Sequence, residues 1–254
     1  VMGLLLKVGI STDLVKTALI AFSSISLFIL LINYVPKLKE IFPNYSLILG
    51  GLIGNTSFLG IPIAMALLPT NTINFTIGFD LGTTLFAWIF GPYFLQRDKT
   101  NYAFVNFKNL SLSILNSPAS KGIIGVLLSY LLGVEKLLGG ILWIPARVVI
   151  SLAIIVVGTR LGIILNNKNK LFEFRDNFLY PVFLKLIMFP SFIFMLCKVI
   201  NLNEVETMAL VLQAGTPSAI STILMAEAYK KNQEKAAQIL FISTLLSIIT
   251  IPII

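Results

Sequence analysis

Two interruptions in long apolar segments constrain this chain more than any other feature. Gly54-Asn55-Thr56-Ser57 and Gly215-Thr216-Pro217-Ser218 each fall where an unbroken apolar helix is otherwise expected. Glycine, asparagine and proline all disfavour a continuous helix interior. The two glycines lie 161 positions apart, which puts the breaks at corresponding places in two halves of the chain. Paired interruptions of this kind point to a secondary transporter with a midplane binding site.

The segments around the breaks belong to a membrane protein. Only 12% of the 254 residues are charged, against about 25% in a soluble domain. Mean hydropathy is +0.93, and apolar runs near span length recur from end to end. A β-barrel would alternate polar and apolar residues, and runs such as Gly122-Ile123-Ile124-Gly125-Val126-Leu127-Leu128 do not. The expected fold is an all-α polytopic membrane protein. The net charge of +8 reads as loop lysine on one side of a bilayer rather than as a nucleic-acid surface. There is no histidine, so the commonest acid–base group and metal ligand is missing. No cofactor or metal is expected. The single cysteine, Cys197, sits in an apolar run and reads as a small core residue.

After an opening stub, eight spans are predicted at roughly 14–34, 46–68, 73–95, 118–134, 142–165, 178–200, 207–229 and 236–254. Numbering sides alternately puts Lys7, Lys16 and Lys136 on one side. The other side takes Lys37, Lys39, Arg97, Lys99, Lys108, Lys168, Lys170, Arg175, Lys230, Lys231 and Lys235. That bias makes the second side cytoplasmic, with loop 96–117 there and the C-terminus outside. The expected location is the plasma, or inner, membrane. Pro92 and Pro252 repeat nearly the offset of Gly54 and Gly215, and the stub Val1-Met2-Gly3-Leu4 resembles Val156-Val157-Gly158-Thr159. The expected domains are therefore 1–95, a first repeat; 96–117, a connecting loop; and 118–254, a second repeat. An odd number of spans per repeat inverts one copy relative to the other. By this comparison the plan is two inverted five-helix repeats, ten spans when complete, with the first span and most of the second missing from the earlier half.

Unwinding near Gly54–Ser57 would leave backbone groups that cost several kcal/mol each in hydrocarbon, so they must face protein, water or ligand. The start of the following half-helix carries partial positive charge, which suits an anion. Asn55 adds an uncharged amide, with Thr56 beside it; Gln213 adds another beside Gly215 and Thr216. Pro62 and Pro217 join Gly54 as helix-breaking residues. The competing reading is packing glycines and a proline kink, both common in membrane helices.

These residues resemble a known family. Gly54-Asn55-Thr56-Ser57-Phe58-Leu59-Gly60-Ile61-Pro62 is similar to the first crossover signature of the auxin efflux carrier family, in its bacterial permease branch, related to the plant PIN carriers. Gln213-Ala214-Gly215-Thr216-Pro217-Ser218, followed by Ala226-Glu227-Ala228-Tyr229, is similar to the second. The resemblance implies crossed broken helices in a moving domain, a scaffold from the first two helices of each repeat, elevator-type alternating access and a homodimer. It puts the carboxylate contact on Asn55 and the second crossover proline on Pro217. Gly54 stands where the plant motif usually has proline, and the long central loop is absent, so the implied substrate is an organic anion such as a carboxylate rather than auxin itself.

Among charges within spans, Asp80 is the acid best placed inside the membrane, a candidate to carry a proton or bind a cation such as sodium. The alternative places it near the outer interface, bonded to Thr83, Thr84 or a loop amide. Lys121 and Arg160 read as snorkelling residues. Arg147 and Lys185 lie deeper and could attract an anion. Trp88 and Trp143 read as packing or interfacial residues. The function expected is a secondary-active carrier of a small organic anion. No Gly-x-x-x-x-Gly-Lys-Ser/Thr run occurs, which argues against an ATP-driven pump. An ion-coupled symporter or antiporter of related fold would call for two acids near the crossing. An integral membrane enzyme would need clustered acids, a nucleophile with its base, or metal ligands.

Overall fold

The structure, a computed structural model, describes residues 2–97, 118–166 and 179–253. Asp98, Lys99, Lys108, Lys168, Lys170 and Arg175, which carry much of the expected charge bias, lie outside the described residues, as do the side chains of Arg97 and Arg160. Among the described residues there are helices and no strands.

The helices run in the order α1 (Met2–Val8), α2 (Thr12–Tyr34), α3 (Pro36–Ile41), α4 (Tyr45–Leu52), α5 (Ile61–Leu67), α6 (Ile73–Arg97), α7 (Pro118–Leu131) and α8 (Glu135–Asn166). They continue as α9 (Leu179–Phe183), α10 (Phe189–Val199), α11 (Glu204–Ala214), α12 (Ile220–Ala228) and α13 (Gln233–Thr250). Among the described residues four continuous stretches are long and apolar enough to cross a membrane: Thr12–Tyr34, Thr70–Leu95, Leu179–Val199 and Gln233–Ile253. The two segments that carry the glycine motifs are each divided, α4 from α5 and α11 from α12. Neither half alone approaches the roughly 20 residues a span needs. The helix expected over 142–165 begins earlier, at Glu135.

Local chemistry explains the well-defined ends. Ser11 caps α2, accepting from Leu14 N–H at 3.1 Å. Asn203 and Glu206 form a reciprocal capping box on α11. Glu206 also takes an ion pair from Lys16 of α2 at 3.1 Å, tying the start of the second divided segment to the first long span. Two π-turns, Thr56–Gly60 and Leu184–Met188, interrupt the helical register.

The α2–α6 pair forms the spine beside the breaks. Its backbones approach through small residues: a methyl at Gly78 would overlap Thr17 and Leu14, and one at Gly82 would overlap the carbonyl of Ala18. Close approach through small residues is how membrane helices gain packing when the hydrophobic effect between them is weak. An aromatic cluster continues the contact. Phe22 meets Phe86 and Phe90 edge-on at 5.4 and 5.8 Å, and Phe28 does the same to Phe189 and Phe192 at 5.5 and 4.9 Å. On the other side α1 lies against α8, with Gly3 backed by the Leu142 carbonyl. Cys197 is fully buried in the core, as its apolar run implied.

Gly82→Val should therefore force α2 and α6 apart and cost about 1–3 kcal/mol. Thermal unfolding in detergent reads this directly. Gly158→Val, where an added Cβ meets nothing within 4 Å, is the control and should unfold near the wild-type temperature.

Candidate functional site

The two breaks meet. α4 ends at Leu52, and Ile53 turns extended, with φ −83° and ψ 113°. α11 ends at Ala214, and Ala219 is extended before α12 begins. Between them the unwound strands pair antiparallel, Gly54 opposite Ser218. Asn55 N–H donates to the Pro217 carbonyl at 2.7 Å, and Ala219 N–H donates to the Ile53 carbonyl at 3.0 Å. Ser218 N–H goes to the Ser243 hydroxyl of α13 at 3.1 Å. Each segment thus supplies the partners that the other lost by unwinding, as a non-helical backbone at membrane depth requires. Pro217 has no N–H to satisfy, so only its acceptor needs a partner.

Gly54 is a glycine because the crossing leaves no room for a side chain. A methyl there would overlap the Thr216 hydroxyl and lie 2.9 Å from Lys185 Nζ. Gly60 is similarly pressed against the Gln213 amide. Pro62 is not at the break. It follows the π-turn directly, within the continuous helical stretch Thr56–Leu67, where its missing N–H removes one helical hydrogen bond.

Asp80 of α6 is buried beside the first break. Its Oδ1 accepts from the Thr56 and Ser57 hydroxyls, both at 2.6 Å. Thr83 and Thr84, the partners open in the interfacial reading, do not bond it. Their positions along α6 carry them to a cavity of about 280 Å³ at the crossing, lined by Gly54, Asn55, Thr56, Ser57, Thr83, Thr84, Trp88, Ala219, Ile220 and Ser221, among others. The starts of both post-break helices, at Thr56 and Ile220, face this cavity. Trp88, expected as packing, is part of its wall. A second cavity of about 420 Å³ reaches Asp80, Ser57 and Phe58 from the side of α1 and α8, lined there by Gly3, Leu4, Leu142 and Pro145.

The motif residues divide by position. Asn55 and Thr56 line the first cavity; Gln213, Gly215 and Thr216 lie outside its lining. The Thr216 hydroxyl caps α11 by donating to the Gln213 carbonyl at 2.7 Å. Buried polar atoms without a hydrogen-bond partner include Asn55 Nδ2, Thr83 Oγ1 and both polar atoms of the Gln213 amide. Unsatisfied buried groups are costly, and all three of these residues occupy motif or cavity positions.

Of the deep basic residues, Arg147 is exposed and stacks over Trp143 at 5.8 Å. Lys185 is 1% exposed, and its Nζ donates to the Ala214 carbonyl at 2.6 Å. Sequence depth marks both as equivalent. The rotation of their helices, which separates them, has no signal in the residue pattern. Among the described residues no group of three or more His, Cys, Asp or Glu could hold a metal ion.

The chain is similar in sequence to known membrane transport proteins. Residues 101–254 match the family model described as membrane transport protein. An uncharacterized transporter of Methanocaldococcus jannaschii is 25% identical over 210 residues, which are 81% of this chain and 65% of that relative. The chain thus spans slightly less than two thirds of the curated relative it matches.

The Gly54 contacts give a direct test of the crossing. Both atoms a new methyl would strike, on Lys185 and Thr216, are buried and held by hydrogen bonds. Gly54→Ala should cost about 1–3 kcal/mol by overpacking, seen as a lower unfolding temperature. Gly140→Ala, with open space at its Cβ, should leave that temperature unchanged or slightly raised.

Proposed function

Because the chain belongs to the membrane transport protein family, the auxin efflux carrier family that its two motifs resemble, we propose that it is a secondary-active carrier of a small organic anion such as a carboxylate. One observation carries this reading. The cavity at the crossing is lined by Asn55, whose buried Nδ2 lacks a hydrogen-bond partner, and by the starts of two helices that run away from it. An amide donor plus two positive helix ends suits a carboxylate without fixing its identity. Trp88 and Ala87 add apolar wall for the rest of the molecule.

The proposed mechanism is elevator-type alternating access. The divided helices and α6 would move as one body against α1, α7 and α8, within two inverted repeats, 1–95 and 118–254, joined by a cytoplasmic loop, 96–117. Support comes from the mutual backbone pairing, which makes the two breaks one unit, and from the cavity between Asp80 and the α1–α8 side. The C-terminus would lie outside the plasma membrane, and the scaffold would form a homodimer.

Asp80 is proposed as the coupling group, for a proton or for sodium. Its bonds to Thr56 and Ser57 connect its charge to the residues that line the substrate cavity. The rival reading, an ion-coupled symporter or antiporter with two acids at the crossing, is less well supported, because Asp80 is the acid that the described structure places beside the breaks. A membrane enzyme is disfavoured by the absence of histidine from the chain and by the family itself.

Asn55→Ala should weaken carboxylate binding by about tenfold or more, the effect of losing a hydrogen bond to a charged group worth ~1.5–3 kcal/mol. Titration calorimetry with a carboxylate panel measures it, and wild-type affinity in a folded variant would remove Asn55 from the site. Asp80→Asn should abolish the pH or sodium dependence of uptake into proteoliposomes. Full retention of both dependences would make Asp80 structural.

A further inference from the structure

Lys185 sits in the span Leu179–Val199, on the π-turn after α9, and is 1% exposed. An ammonium at such depth is unfavourable unless it is compensated. The Ala214 carbonyl, at the partly negative C-terminal end of α11, accepts from it at 2.6 Å. The Phe189 ring lies 5.1 Å from Nζ. Neither contact brings a full negative charge. Among the described residues Glu206 pairs with Lys16, and Asp80 is bonded to Thr56 and Ser57. One carbonyl also uses only one of the three ammonium donors.

The position of this charge is specific. Nζ lies 2.9 Å from where a methyl at Gly54 would be. Gly54 lines the cavity at the crossing and Lys185 does not. The amine therefore packs, beside the Thr216 hydroxyl, against Gly54, the cavity-lining residue next to Asn55. In a medium of low dielectric, an ammonium beside the wall of a site discriminates between an anion and its neutral isostere.

We propose that Lys185, an ammonium when a carboxylate is bound, makes this cavity prefer carboxylates to their neutral amides, the bound carboxylate supplying the counter-charge that the described residues do not. Lys185 acts through space across Gly54, as a positioning and selectivity residue rather than a contact. The inference rests on the reading of the cavity as the substrate site and deepens it. It also gives the glycine at position 54 a second role, since a side chain there would displace the charge as well as the crossing.

The experiment measures binding of acetate, succinate and benzoate, and of acetamide, succinamide and benzamide, to the purified protein in detergent. Wild type, Lys185→Met and Lys185→Gln are compared. The wild type should favour an acid over its amide by about 10- to 100-fold, and both variants should lose most of that ratio while binding the amides as before. A lysine with a structural role alone would lower acids and amides together, and that result overturns the proposal. So does a wild type that binds acid and amide equally. Asn55→Ala keeps the question decidable if neither lysine variant folds: its binding should weaken with the acid-over-amide ratio retained, and loss of the ratio there would assign the preference to Asn55. Failure of the wild type to bind any of the acids overturns the carboxylate reading of the cavity together with this inference. Acid binding with an unchanged ratio in the lysine variants overturns this inference alone.

Discussion

The structure depends on a pair of backbone hydrogen bonds, Asn55 N–H to Pro217 carbonyl and Ala219 N–H to Ile53 carbonyl. Breaking a helix within a bilayer exposes groups that water cannot reach, at several kcal/mol each. Two breaks that satisfy one another remove most of that penalty, but only if both segments unwind at the same depth and meet side by side. This constraint explains why Gly54 admits no Cβ and why Ser218 reaches on to Ser243. It also explains why α4, α5, α11 and α12 are each too short to span a membrane alone.

Around this crossing the fold places one buried ionisable group at each break. Asp80 is tied to the first through Thr56 and Ser57, and Lys185 to the second through the Ala214 carbonyl. They do not pair with each other. Each is held by polar groups released when a helix stopped, hydroxyls in one case and a helix-end carbonyl in the other. Buried ionisable groups in membrane helices are expensive enough to imply use. An acid and a base, each next to a motif residue, give the crossing an electrostatic character that the uncharged motif residues alone would not have.

Much of this is legible in the sequence. The membrane class follows from composition, the break positions from Gly, Asn and Pro in apolar runs, and the family from two motifs together. Depth along its span marks Asp80 as the acid best placed inside the membrane, with an interfacial position left open. Its partners are not identifiable that way, because Thr56 and Ser57 lie 24 and 23 residues away on a neighbouring segment, and nothing in a linear pattern says which helices adjoin. Pro62 has the residue type of a breaker, yet the helix continues through it after the π-turn of Thr56–Gly60. Trp88 has the character of a packing residue although it lines the cavity, and Gln213 and Thr216 stand outside that lining despite belonging to the motif.

Sequence by itself determined where the backbone could not continue as a helix and that it had to be enclosed in a bilayer. Both are local consequences: residue type sets helix propensity, and apolar run length sets span. Only the tertiary structure decided what each buried side chain meets. Depth along a span gives a residue's height but not its direction, and direction depends on helix rotation. The π-turn at Leu184–Met188, with helix on both sides, adds a residue to the register and rotates the downstream helix by about 100°. Lys185 lies within that turn and is buried against Gly54, whereas Arg147, equally deep by count, is exposed.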